Sequence, residues 1–132
     1  MLVLDTNIFV WWTEASGKLS ENHRRLIDES EADGIAVSAF SIWEVAMLIK
    51  KQRLQLRDPL PVWLNRILQI PTLHLLPASP QILVDSTLLP GPFHDDPADR
   101  IIVATARAHG GPLLATDGRI LAYPHVLSVG PE

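Results

Sequence analysis

Residues His94–Asp117 read HDDPADRIIVATARAHGGPLLATD. An acidic loop gives way to a nearly all-apolar run, stops at two glycines, and resumes as a second apolar run that ends on a carboxylate. Asp96 is a good helix N-cap, Pro97 suits the first helical position, and Gly110 and Gly111 mark the helix end. PADRIIVATARAHGG therefore reads as a buried helix and PLLAT as the buried strand that follows it. A helix feeding directly into a short apolar strand is one unit of an α/β fold, which calls for others along the chain.

They are there. MLVLD, IAVS and TLHLLP read as three more buried strands, and HVLSV as a last one. Between them lie helical stretches. TNIFVWWTEA is a short helix or turn. SENHRRLIDESEADG starts on Ser20 as N-cap and ends at Gly34. SAFSIWEVAMLIKKQR, PLPVWLNRIL, SPQILVDSTLL with Ser79 as cap, and the short DGRILAY follow. LQLRDP reads as a connection carrying a short edge strand. Continuous apolar strands alternating with helices imply a parallel sheet covered on both faces. The expectation is a single α/β domain over residues 1–132 with about five parallel strands. Ligands bind such sheets beyond the carboxyl ends of the strands, where Asp5 and Asp117 fall.

Composition narrows the chemistry. The chain has 132 residues, 47% hydrophobic and 20% charged, with no cysteine and a net charge of -4. Disulfides and thiolate metal sites are excluded, and the lack of cysteine is compatible with the cytoplasm. Passive charge attraction to nucleic acid is disfavoured, so any polyanion needs cations or a partner. MLVLDTNIFVWW has no basic start, and Asp5 interrupts its apolar run, so it does not read as a signal peptide. No stretch reads as a membrane span.

The acids stand out. Asp5, after the first strand, is either a helix cap or part of a site. Glu44 is the only charge between Ala39 and Ile49. A buried lone carboxylate costs several kcal/mol unless paired or metal-bound. A Ser41–Glu44 capping box would explain Glu44, but Ser38 is the better-placed cap. Asp96 is explained by capping; the helix dipole tolerates Asp99 without requiring an acid there. Asp117, before Gly118, is a turn residue or a site residue. In an α/β domain these places converge on one edge, and crowded carboxylates stay ionised only with a cation. Oxygen-only ligation favours Mg²⁺, with Mn²⁺ able to substitute, and such ions serve phosphoryl chemistry.

On LVLDTN (Leu2–Asn7), SIWEVAMLIKKQRLQL (Ser41–Leu56), HDDPADRIIVATA (His94–Ala106) and TDGRI (Thr116–Ile120), the chain resembles the PIN-domain ribonucleases over essentially its whole length. It is most similar to the VapC toxins of bacterial toxin–antitoxin pairs. The resemblance implies a metal site of Asp5, Glu44, Asp99 and Asp117, with Asp5 and Asp99 foremost as direct ligands. It places Thr6, Asn7, Asp96 and Arg100 in the outer shell or against substrate. It implies Mg²⁺-dependent endoribonuclease activity by metal-activated water, a homodimer, and a VapB-type antitoxin whose tail blocks the acidic groove. Where many members carry Ser or Thr two residues before the last aspartate, this chain has Ala115, with Thr116 one place on.

The remaining residues divide between bland and specific readings. Trp11, Trp12, Trp43 and Trp63 read as core or interface packing rather than base-stacking groups. Lys50, Lys51 and Arg53 read as a solvated helix end. Arg100 either holds a phosphate or pairs with a neighbouring acid. His94 reads as making a loop hydrogen bond rather than acting as a base. Two competing functions remain: a phosphatase, which would need a second aspartate where Asn7 stands, and a catalytically silent module that binds RNA or protein. The absence of G-x-G-x-x-G after any strand disfavours a dinucleotide fold.

Overall fold

The computed structural model describes residues 1–132. Five strands form one parallel sheet: β1 (Leu2–Leu4), β2 (Ile35–Ser38), β3 (Leu73–Leu76), β4 (Leu113–Leu114) and β5 (Ser128–Val129), in the spatial order β3-β2-β1-β4-β5. The helices are α1 (Thr6–Thr13), α2 (Glu21–Ser30), α3 (Ala39–Lys50), α4 (Leu60–Leu68), α5 (Pro80–Thr87), α6 (Pro97–His109) and α7 (Gly118–Leu121). A 3-10 turn over Glu31–Asp33 precedes β2. The expected edge strand in LQLRDP does not form; those residues are bends and coil before α4. Arg57 and Asp58 there turn their side chains to Glu14 and Arg66, which anchors the segment as a connection.

Strand periodicity divides the core. Val3 points to one face of β1, while Leu2 and Leu4 point to the other. Val3 packs with Ile82, Ile102, Val103 and Ile120, from α5, α6 and α7. Leu2 and Leu4 pack with Ile8, Phe9, Ile27, Val45 and Trp63, from α1 to α4. Residues of β1 and β2 are almost fully buried, as a sheet covered on both faces requires.

The caps explain where the helices begin. Ser20, Ser38 and Ser79 accept backbone N–H groups at the starts of α2, α3 and α5, as their positions suggested. Asp96 accepts the Asp99 N–H at 3.0 Å. At the other end of α6, Gly110 adopts the left-handed conformation at φ 65°. A Cβ on Gly111 would lie 2.0 Å from the Met1 carbonyl oxygen. Only glycine lets the turn into β4 pass this close to the first residue of the chain.

The strand order places the site. From β1 the chain moves to β2 and then β3 on one side, and crosses back to β4 and β5 on the other. The topological switch point lies between the carboxyl ends of β1 and β4, where an open α/β sheet leaves a crevice. Asp5 directly follows β1 and Asp117 lies just beyond β4.

Candidate active site

Asp5 opens α1, and its Oδ1 accepts the Thr6 N–H at 2.8 Å. The residue is only 7% exposed. Burial is the main cause that pushes its carboxyl up from 3.8 to about 7. The Thr6 N–H acts the other way, and repulsion from Asp99, Glu44 and Asp117 adds to the rise. Asp5 is therefore both a cap and a strained acid within reach of three others, so the two sequence readings are not exclusive.

Glu44 enters from the middle of α3. Thr6 Oγ1 donates to Glu44 Oε1 at 2.5 Å and lies 2.8 Å from Ser41 Oγ. A threonine hydroxyl has one proton, so with Glu44 as its acceptor, Ser41 must be the donor to Thr6. The result is a directed chain, Ser41 to Thr6 to Glu44, that ties α3 to the start of α1. Burial raises the Glu44 carboxyl above its ordinary range, the Thr6 bond opposes the rise, and Asp96 repels it further.

Asp99, one turn into α6, is half-buried. Its carboxyl rises to about 6, first through burial, then through repulsion from Asp96, with Asp117 and Glu44 adding to the rise. His94 opposes the shift: its Nε2 lies 2.9 Å from Asp99 Oδ2. The pair is out of line for an N–H···O hydrogen bond, so the contact is a close electrostatic one. The expectation of a loop hydrogen bond for His94 is thus corrected, because the preceding loop turns the ring inward onto the acid.

Asp117 differs from the others. Its Oδ1 caps α7 by accepting the Arg119 N–H at 2.8 Å, and its Oδ2 pairs with Arg119 Nη2 at 3.0 Å. These bonds hold its carboxyl below the usual range. The rim of the site therefore already contains one neutralised acid, while Asp5 and Asp99 lack a cationic partner of that kind.

Arg100 does not pair with a neighbouring acid, and two of its nitrogens are turned to the backbone. Its Nε donates to the Ser86 carbonyl at 2.8 Å, and its Nη1 to the Phe93 and His94 carbonyls at 3.1 and 3.2 Å. With its donors aimed at backbone oxygens, the guanidinium staples the end of α5 and the loop that carries His94. Asn7 is exposed, and Asp96 is exposed at the mouth. Sequence reasoning passed over Ser41 as a hydroxyl donor and Arg119 as the partner of Asp117. The short spacing of Asp117 to Arg119 across a capped turn was the available signal for the latter.

No three Asp, Glu or His side chains close on a single ion-sized position. The carboxylates that crowd one another nonetheless offer oxygens, with the His94 ring nitrogen beside Asp99, and burial and mutual repulsion make their charge costly. That set fits a hard divalent ion held by one or two carboxylates that keeps several of its waters.

The PIN domain family model matches residues 2–126. The chain belongs to the PIN-domain family. This PIN domain is 33% identical over 124 residues to ribonuclease VapC22 of Mycobacterium tuberculosis, covering 94% of this chain and 92% of that protein. Among solved structures it resembles VapBC2 from Rickettsia felis, in complex with a promoter DNA fragment, with TM-score 0.71 and 17% identity over 98% of this chain and 97% of that one. It also resembles FitAcB from Neisseria gonorrhoeae, with TM-score 0.69 and 20% identity over 99% and 98%. At those identities the structural likeness is one of fold, and it agrees with the five-stranded parallel sheet expected from the sequence.

Proposed function

We propose that this PIN domain is a metal-dependent endoribonuclease that acts as the toxin of a toxin–antitoxin pair. The observation that carries the reading is the buried Asp5 carboxyl, raised to about 7, crowded by Asp99 and Glu44 at the switch point of the sheet. Such a site is unstable without a cation and suited to holding one. The relation to a named ribonuclease supplies the substrate class.

In this reading Asp5 and Asp99 hold Mg²⁺, or Mn²⁺ in its place. Glu44 is fixed by Thr6 and Ser41 as a further ligand or as an acceptor for a coordinated water. Asp117 contributes charge from the rim, with Thr6 and Asp96 outside the ligand set. A bound divalent ion supplies Lewis acidity, which lowers the pKa of water and offsets charge on the scissile phosphate. Asp5 and Asp99 would fix where that ion sits, and so where the scissile phosphate would lie for in-line attack by water, which would leave a 5′-phosphate and a 3′-hydroxyl.

The same acidic groove suits the tail of a VapB-type antitoxin that inserts a basic side chain, since an unoccupied carboxylate cluster attracts a guanidinium. A homodimer and a cytoplasmic location belong to the same reading. No helix is long and apolar enough to cross a membrane. The test is cleavage of total bacterial RNA by the purified protein, with Mg²⁺ or with EDTA. The proposal expects discrete cuts with Mg²⁺ only, lost in Asp99→Asn. Cuts that survive EDTA, or that Asp99→Asn makes at the wild-type rate, would overturn it.

A further inference from the structure

Of the four tryptophans, one does not behave as packing. Trp63 is fully buried, edge-on to Phe9, and Trp11 and Trp12 pack at the margin of the core. Trp43 is 55% exposed, and it is the only aromatic among the exposed large apolar side chains. It neighbours Glu44 in sequence, and its ring lies 5.1 Å from that of Phe40, tilted by 33°. The two rings border a cavity of about 240 Å³ that also takes in Glu44, Met47, Lys51 and Asp96. Glu44 thus belongs both to the acidic site and to the wall of this cavity.

We infer that the Phe40–Trp43 shelf is a subsite for an unpaired base of the RNA, next to the phosphate that the acids act on. The inference rests on the nuclease reading above. An RNA phosphate brought to the acids carries its base only one nucleotide's reach away, and this shelf, with Glu44 in its wall, is an exposed aromatic surface that borders them. Its chemistry favours a base over the backbone. The floor is apolar and polarizable, suited to stacking on a flat ring. Glu44 and Asp96 in its lining repel a phosphate and accept from base N–H groups, while Lys51, which also lines it, offers a cation to the next phosphate. Leaving a tryptophan in water at this point, when the other three are packed, is explained by such a ligand.

The probe is a single-stranded RNA decamer of mixed sequence, compared with an abasic decamer of equal charge. Both carry a 5′-fluorescein and are titrated by fluorescence anisotropy in Ca²⁺, which offsets the carboxylate charge. Trp43→Ala should weaken binding of the base-bearing decamer roughly five- to a hundredfold, the range for loss of one base–aromatic stack. Trp43→Phe should stay within about threefold of wild type, because the stack survives on a smaller ring. The abasic decamer should bind both proteins equally and weakly. Because the side chain is exposed, thermal unfolding should confirm that Trp43→Ala is folded. Equal binding of the base-bearing decamer by wild type and Trp43→Ala would overturn the inference, as would an equal loss on the abasic decamer. Either result would turn the shelf over to a protein partner's side chain. Base-dependent binding without cleavage of any RNA would instead overturn the nuclease reading and leave the subsite standing.

Discussion

Replacing Asp5 with Asn should stabilise the metal-free protein at neutral pH while destroying its function. The unfolded chain ionises Asp5 near its ordinary value of 3.8, whereas the fold holds the proton to about 7. The folded state therefore binds this proton more tightly. Below the unfolded value the group costs nothing; as pH rises through that window the cost of a buried charge grows, and above about 7 it is fully present. The gap corresponds to an upper bound of about 4 kcal/mol, at 1.36 kcal/mol for each pH unit. Asn has nearly the same shape and can keep the Oδ1 acceptor for the Thr6 N–H, so only the charge is removed. Urea unfolding in EDTA at pH 4 to 8 would measure it. The Asn variant should match wild type near pH 4 and exceed it by roughly 2 to 4 kcal/mol at pH 8, allowing for relaxation around the wild-type charge. Adding Mg²⁺ should narrow or reverse the gap, because only wild type retains the full site. An Asn variant less stable than wild type at pH 8 in EDTA, or a difference independent of pH, would refute the reasoning.

Other consequences follow from the same geometry. Divalent-ion affinity should fall as pH drops from about 8 to 6, with protons released on binding, since Asp5 and Asp99 must give theirs up; calorimetry in buffers of different ionisation enthalpy would count them. Thr6→Val, which removes the donor to Glu44 while keeping the shape, should lower ion affinity by roughly 10- to 100-fold, as loss of an outer partner does, with little change in far-UV circular dichroism. Arg100→Ala should cost roughly 1 to 3 kcal/mol in urea unfolding, because it leaves partly buried carbonyls without their donor. Gly111→Ala should be more damaging than other Gly→Ala changes, reading out as a lowered Tm, since its methyl group meets the Met1 carbonyl.

Much of this fold was legible because its signals are local. IAVS spans the residues of β2, and the prediction for α6 was supported by a cap, a proline and a glycine stop that all agree. The failures have particular causes. LQLRDP has the apolar alternation of an edge strand, but ion pairs of Arg57 with Glu14 and of Asp58 with Arg66 fix it as a connection. Nothing in PADR shows that Arg100 turns back to the carbonyls of Ser86, Phe93 and His94; that requires knowing how α5 packs on α6. Trp43 looks like a core residue in AFSIWEVAMLI, yet α3 leaves that position at its exposed edge. The acids at this edge of the sheet were conspicuous in the sequence, because charge stands out in an apolar helix or at a strand end. The arrangement that sets their roles was not. The Ser41–Thr6–Glu44 chain joins residues on two elements that only the sheet topology brings together. The Arg119 pairing was signalled only by its spacing of two residues from Asp117, and it depends on Asp117 capping α7.

The measurement that bears most directly on the central claim is the sequencing of RNA 5′ ends in bacteria expressing either the wild-type chain or Asp5→Asn. The account predicts new 5′-phosphate ends at a few discrete positions with wild type, together with growth arrest, and none with the variant at equal protein level. The same ends at the same abundance in both would contradict it, because the buried carboxylate would then have no part in the cleavage.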